Sequence, residues 1–293
     1  MTNSFFDGFD QRRITTSGAE INVRVGGAGP PVLLLHGFPQ THAMWHEVAP
    51  RLATDHTVVV ADLRGYGDSS TPPAGDDHAG YSFRAMARDQ YEVMRQLGHP
   101  FFAVVGHDRG ARTAHRLALD HAEAVTKLAV LDIAPTRHVF SHTDKLMAST
   151  YYHWFFLIQP YDLPERLIGN DAKYFLHSAL GSFGGALDAY DPRALAEYER
   201  CFDNAETRHA MIEDYRAAAS IDLEHDEADA DRRLSQPTLV LWGETGAVGR
   251  MYEPLEVWRD YADDVRGRAI ADAGHFLVEQ QPADVLAEIE AFL

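Results

Sequence analysis

Phe102-Ala103-Val104-Val105-Gly106-His107-Asp108-Arg109-Gly110-Ala111-Arg112 is the stretch on which the fold turns. An apolar run meets two glycines that bracket an acid, and a segment of helical spacing, Arg109–His121, follows at once. That order reads as strand, tight turn, helix. Small glycines permit a strained turn and close packing, and the residue between them is pushed outward with its side chain free to react. Here that residue is Asp108. A carboxylate does not usefully open an amide as serine does, but it displaces a leaving group from carbon and forms an ester. The plain alternative is an aspartate that caps an ordinary helix.

Outward from this turn, short β-branched or leucine-rich runs recur at Ile21–Val25, Val32–Leu35, Thr57–Ala61, Leu128–Leu131, Thr238–Trp242 and Arg268–Ala271. Segments of helical period such as Tyr81–Leu97 separate them, which predicts an α/β fold with a mostly parallel sheet flanked by helices. The alternation stops near Pro135. Residues 136–234 are rich in Tyr, Trp, Phe, His and Ala without a convincing strand, so they read as an inserted helical cap between core parts 1–135 and 235–293. A cap over the C-terminal edge of the sheet would close a cavity where open α/β sheets place ligands. The acidic stretch Asp222–Asp231 reads as a solvated return from cap to core.

With 293 residues, 45% of them hydrophobic, the chain can bury a full core. A formal charge of −18 argues against a nucleic-acid partner, and any anionic substrate needs a local cationic pocket. The single cysteine, Cys201, excludes an intrachain disulfide and reads as a buried small residue. No signal-like N-terminus or membrane-length apolar run is evident, so a cytoplasmic protein is expected. The sixteen histidines include no His-x-His or His-Glu-x-x-His element, and neither a metal nor an organic cofactor is expected.

An aspartyl ester needs a base to hydrolyse it. His275, in Ala273-Gly274-His275-Phe276, follows the last strand candidate and completes the chain order nucleophile, acid, histidine. The acid is either Asp132, directly after Leu128–Leu131, or Glu244, after Thr238–Trp242. Asp132 is favoured, since a carboxylate at a strand end can orient the imidazole. His36-Gly37-Phe38-Pro39 would supply the Phe38 N–H beside the Arg109 N–H as an oxyanion hole. Arg109 and Arg112 lie three apart on the first helical turn and share a face beside Asp108. Two guanidinium forks next to a nucleophile suggest a substrate that carries a carboxylate.

Assembled, these residues resemble the fluoroacetate (haloacetate) dehalogenases of the α/β-hydrolase superfamily over nearly the whole chain. The superfamily at large shares His36-Gly37-Phe38-Pro39, Asp62-Leu63-Arg64-Gly65-Tyr66-Gly67-Asp68-Ser69 and Gly274-His275-Phe276. The paired arginines, His153-Trp154 in Tyr152-His153-Trp154-Phe155, and Tyr215 in Glu213-Asp214-Tyr215-Arg216 discriminate. The resemblance implies an α/β-hydrolase fold, a triad of Asp108, Asp132 and His275, a substrate carboxylate held by Arg109 and Arg112, and a halogen held by His153, Trp154 and Tyr215. It also implies a small anionic haloacid as substrate and a homodimer. Those three halogen-site residues are hydrogen-bond donors suited to charge developing on fluorine. An aromatic cap core is the bland alternative for them, and Tyr151, Tyr152 and Phe183 are further wall candidates. Two other functions stay open. An epoxide hydrolase would protonate its substrate with Tyr152 and Tyr215, and a non-catalytic receptor would use the same fold to bind a small acid.

Overall fold

A computed structural model describes residues 5–182 and 186–293. Phe183 lies outside the described residues. Eight strands form one sheet: β1 (Asp10–Thr15), β2 (Glu20–Gly27), β3 (Pro31–Leu35), β4 (Thr57–Ala61), β5 (Phe102–His107), β6 (Val125–Leu131), β7 (Thr238–Gly243) and β8 (Val265–Ile270). Their spatial order is β1-β2-β4-β3-β5-β6-β7-β8, and only the β1–β2 and β2–β4 pairs are antiparallel. The polar β1 was not legible as a strand, because its DQRRIT sequence is mostly exposed on the sheet edge and carries no apolar alternation. The last strand runs Val265–Ile270, where the sequence suggested Arg268–Ala271.

β5 is buried along its whole length at the centre of the sheet, which is why it reads as a continuous apolar run. Helix α1 (Phe83–Gln96) and helix α2 (Arg109–Asp120) pack on the sheet, and the Ser82 side chain caps α1 by accepting the Ala85 N–H. Between β6 and β7, residues 136–228 contain helices and no strand among those described. They include α3 (Tyr152–Leu157), α4 (Pro192–Phe202), α5 (Ala205–Ala218) and α6 (Ile221–Ala228). Among the described residues, no helix is long and apolar enough to cross a membrane.

The acidic stretch corrects the sequence expectation, because it forms α6 and binds the core. Asp222 is buried and accepts the Phe83 N–H at 2.9 Å, capping the start of α1. Asp226 and Asp229 take the Arg116 guanidinium at 2.9 and 2.6 Å. Those carboxylates meet arginines of α1 and α2 that sequence spacing alone does not bring near.

Candidate active site

Asp108 stands at the junction of β5 and α2 with φ 47° and ψ −115°. Glycine is required around it: a Cβ on Gly110 would lie 2.2 Å from the His36 carbonyl oxygen, so the α2 backbone crosses β3 at contact distance. The Asp108 carboxylate is buried, and its Oδ1 accepts the Phe38 N–H at 2.9 Å. Arg109 opens α2, so its own N–H precedes the helical ladder beside the same carboxylate. Burial pushes Asp108 upward in pKa, but the charges of His275, then His107, Arg109 and Arg112, outweigh it and bring the group down to about 2.

Asp132 reaches His275 and Glu244 does not. Asp132 ends β6 with φ 51°, its Oδ2 lies 2.6 Å from His275 Nδ1, and its Oδ1 accepts the Gly243 N–H at 3.0 Å. Glu244 is exposed and accepts the Asp272 N–H. Burial lowers the His275 pKa, yet the Asp132 hydrogen bond and the charges of Asp132 and Asp108 prevail, and the net direction is upward. His275 Nε2 stands 3.9 Å from Asp108 Oδ2, a gap that a water oxygen beside the carboxylate can bridge. The sequence treats His36 as structural, and its Nε2 accepts the Leu63 N–H. His107 Nε2 contacts the His275 carbonyl at 2.8 Å and so ties the elbow to the histidine loop.

These groups face a closed cavity walled on the sheet side by Phe38, Asp108, Arg112, Asp132 and His275, and on the helical side by Tyr151, His153, Trp154 and Tyr215. The free space between them is small. A groove of about 730 Å³ between Thr71–Ala74 and residues Glu165 and His209 is far larger, but it holds none of the reactive side chains. The small cavity is the better candidate for chemistry, because among the described residues it brings the Asp108 carboxylate and the His275 imidazole together.

His153 stacks parallel to Phe38 at 6.2 Å and meets Tyr215 edge-on at 5.7 Å. Burial takes its pKa down to about 3 against the attraction of Asp108, so its ring is neutral at ordinary pH. Burial, then Asp108, holds the Tyr215 phenol well above its usual pKa, and it keeps its proton. Tyr152 is 49% exposed and is absent from the cavity wall, which removes it from the pair of proton donors suggested for an epoxide. Tyr151 occupies that wall instead.

Arg112 lies on the cavity wall with its guanidinium 4.6 Å from the Trp154 ring. Its Nη1 donates to Ala134 O and Thr136 Oγ1, both at 2.9 Å and both neutral acceptors. Burial, with Arg109 nearby, lowers its pKa to about 10, which leaves it charged. Arg109 is fully buried against the rings of Phe83 and Tyr215, and it is paired with Asp214. Sequence reasoning missed Asp214. The one available hint was an acid immediately before Tyr215 in Glu213-Asp214-Tyr215-Arg216. Among the described residues, Glu165, His209 and Glu213 lie close enough together to suggest a metal, but the Arg216 guanidinium donates to both carboxylates.

A strained acid at a strand-to-helix turn, served by a strand-end acid and a late histidine, defines a hydrolase of the α/β type. The chain belongs to the α/β-hydrolase fold family, which matches residues 30–282. It is 46% identical over 289 residues to a fluoroacetate dehalogenase from Burkholderia sp, covering 98% of this chain and 95% of that one. It is 30% identical over 273 residues to a soluble epoxide hydrolase from Corynebacterium sp., covering 92% of each. A crystal structure of ALR0039, a putative α/β hydrolase from Nostoc sp PCC 7120, superposes with TM-score 0.96 at 55% identity over 98% of each chain.

Proposed function

We propose that the protein hydrolyses the carbon–halogen bond of small 2-haloacids such as fluoroacetate, through an ester on Asp108. The observation that carries this reading is Arg112, a buried charged guanidinium on the wall of a small cavity, hydrogen-bonded among the described residues only to neutral acceptors and set beside a carboxylate nucleophile. Such a charge calls for an anionic occupant. The similarity to the Burkholderia fluoroacetate dehalogenase supports the same reading.

In this mechanism the Asp108 oxygen not held by Phe38 attacks the α-carbon from behind the carbon–halogen bond. The halide leaves with the bonding pair toward His153, Trp154 and Tyr215, whose neutral N–H and O–H groups meet the growing charge. The substrate carboxylate lies against Arg112; Arg109, expected from the sequence to share that role, is absent from the cavity wall and paired with Asp214, so it acts through its charge from behind. His275, oriented by Asp132, then takes a proton from water, and the hydroxide attacks Asp108 Cγ while the Phe38 and Arg109 N–H groups hold the oxyanion. The Cγ–O bond then breaks as His275 returns its proton to the departing alkoxide oxygen, which releases a 2-hydroxy acid, glycolate from fluoroacetate, and the Asp108 carboxyl ionises again by losing a proton to solvent.

A single turnover in ¹⁸O-water tests this. The label should enter the Asp108 carboxylate and spare the first glycolate formed. Label in that glycolate would mean that water attacks carbon directly. The epoxide reading draws on the Corynebacterium relative and on the two wall tyrosines, Tyr151 and Tyr215. The anion-seeking Arg112 weighs against it, and diol formation from a small epoxide without halide release from any haloacid would establish it instead.

A further inference from the structure

Arg109 and Arg112 leave α2 one turn apart, but they are not equivalent. Arg109 Nε donates to Asp214 Oδ2 at 2.8 Å, and Nη2 donates to Asp214 Oδ1 and, at 2.8 Å, to the Asp214 carbonyl oxygen. Three of the five guanidinium N–H groups and one whole fork edge are thereby taken by a single residue. Both side chains are completely buried, and the Tyr66 hydroxyl donates to Asp214 Oδ2 at 2.7 Å, holding the carboxylate from the core side. What remains of Arg109 is Nη1, which is buried and has no hydrogen-bond partner among the described residues.

Arg112 is the mirror case. Its Nη1 is used, while Nε is buried without a partner among the described residues and no hydrogen bond there occupies Nη2. Nε and Nη2 form one fork edge, the geometry that accepts a carboxylate through two parallel bonds. No acidic side chain hydrogen-bonds Arg112 among the described residues, and Asp108 acts on it only through space, whereas Arg109 and Asp214 together carry no net charge.

We propose that Asp214 is a positioning residue that sets how tightly the cavity holds an anion: it neutralises Arg109 behind the wall and leaves Arg112 as the two-pronged anchor. This rests on the haloacid reading of the cavity. By cancelling the Arg109 charge, Asp214 weakens the hold on substrate and product acid alike and lets the product leave.

Calorimetric titration of the full chain with acetate and with acetamide tests the proposal without any turnover. Asp214→Asn leaves an acceptor in place but frees the Arg109 charge, so the acetate Kd should fall by about tenfold while the acetamide Kd stays unchanged. Haloacid kinetics should show KM and kcat falling together, since the product acid now leaves slowly. A residue needed only for packing would weaken both ligands. An acetate Kd that is unchanged or larger overturns the proposal. If Asp214→Asn does not fold, Tyr66→Phe keeps both charges and withdraws one hydrogen bond from Asp214, which concentrates its charge on Arg109. The acetate Kd should then rise by about threefold, and a fall or no change overturns the proposal. Halide release separates the two readings. Tightening without halide release from any haloacid defeats the proposed reaction and leaves the role of Asp214 standing, whereas halide release without tightening defeats the role of Asp214 alone.

Discussion

The sheet side and the helical side of the cavity each contribute one buried histidine, and the two respond to burial in opposite ways. His275 ends with its pKa raised, and His153 falls to about 3. Desolvation acts on both. The difference is what each ring touches: His275 has a carboxylate at 2.6 Å, while His153 lies among the rings of Phe38, Tyr151 and Tyr215. Burial depth therefore does not assign a histidine its chemistry. The partner does, raising the pKa of one ring and leaving the other neutral, which suits them to the proposed roles of base and donor.

The harshest way to break this contrast is to remove the base. His275→Asn should cut turnover by roughly 10²–10⁴-fold while leaving the first displacement competent. Mass spectrometry after incubation with a haloacid should find one halide per site and a carboxymethylated Asp108 peptide, and continued turnover without the adduct would remove His275 from its role. Asp132→Asn should follow at on the order of 10²–10³-fold, because only this carboxylate fixes the tautomer of His275. Glu244→Gln should leave kcat nearly unchanged, and the reverse ranking would transfer the role to Glu244.

Acidification separates the histidines by a smaller factor. The base must be neutral to accept a proton, so turnover falls as pH drops through the raised pKa of His275. Asp108, at about 2, stays ionised throughout that range and keeps forming ester. Quenching at about pH 5 should therefore trap esterified Asp108, with turnover down by about tenfold or more. His153→Gln should lower the rate without moving that acid limb, and a shifted limb would mean that His153 titrates with the reaction. The smallest effect is expected at the donor beside His153. Trp154→Phe should slow fluoroacetate about tenfold more than bromoacetate, since bromide leaves with less help. Equal losses would assign Trp154 to packing.

The sheet side was legible because its groups sit at fixed places on a repeating frame. Asp108 follows β5, Asp132 ends β6 and His275 follows β8, each marked by an adjacent apolar run. The Arg109–Asp214 pair was not legible, since 105 residues separate its members and nothing in local spacing registers a contact between α2 and α5. Tyr152 and Tyr151 show the same limit one residue apart. The α3 N-terminus turns the first outward and the second into the wall, a direction that helical period does not supply when a helix is only six residues long. The solvated reading of Asp222–Asp231 holds for Glu224, Glu227 and Asp231, which are exposed, and misses Asp222, Asp226 and Asp229, because composition reports charge but not the helix start and the arginine awaiting it.

Both acids that flank His275 occupy backbone positions where glycine or asparagine would rest more easily, with φ 47° at Asp108 and φ 51° at Asp132. Positions of this kind cost on the order of 1–3 kcal/mol for an ordinary side chain. Fold stability and turnover therefore pull in opposite directions at the same two residues, and Asp108→Gly should unfold at a higher temperature than the active protein. In a lineage that no longer met its substrate, random substitution would be drawn toward glycine or asparagine at these two sites, and activity would disappear while the fold grew sturdier.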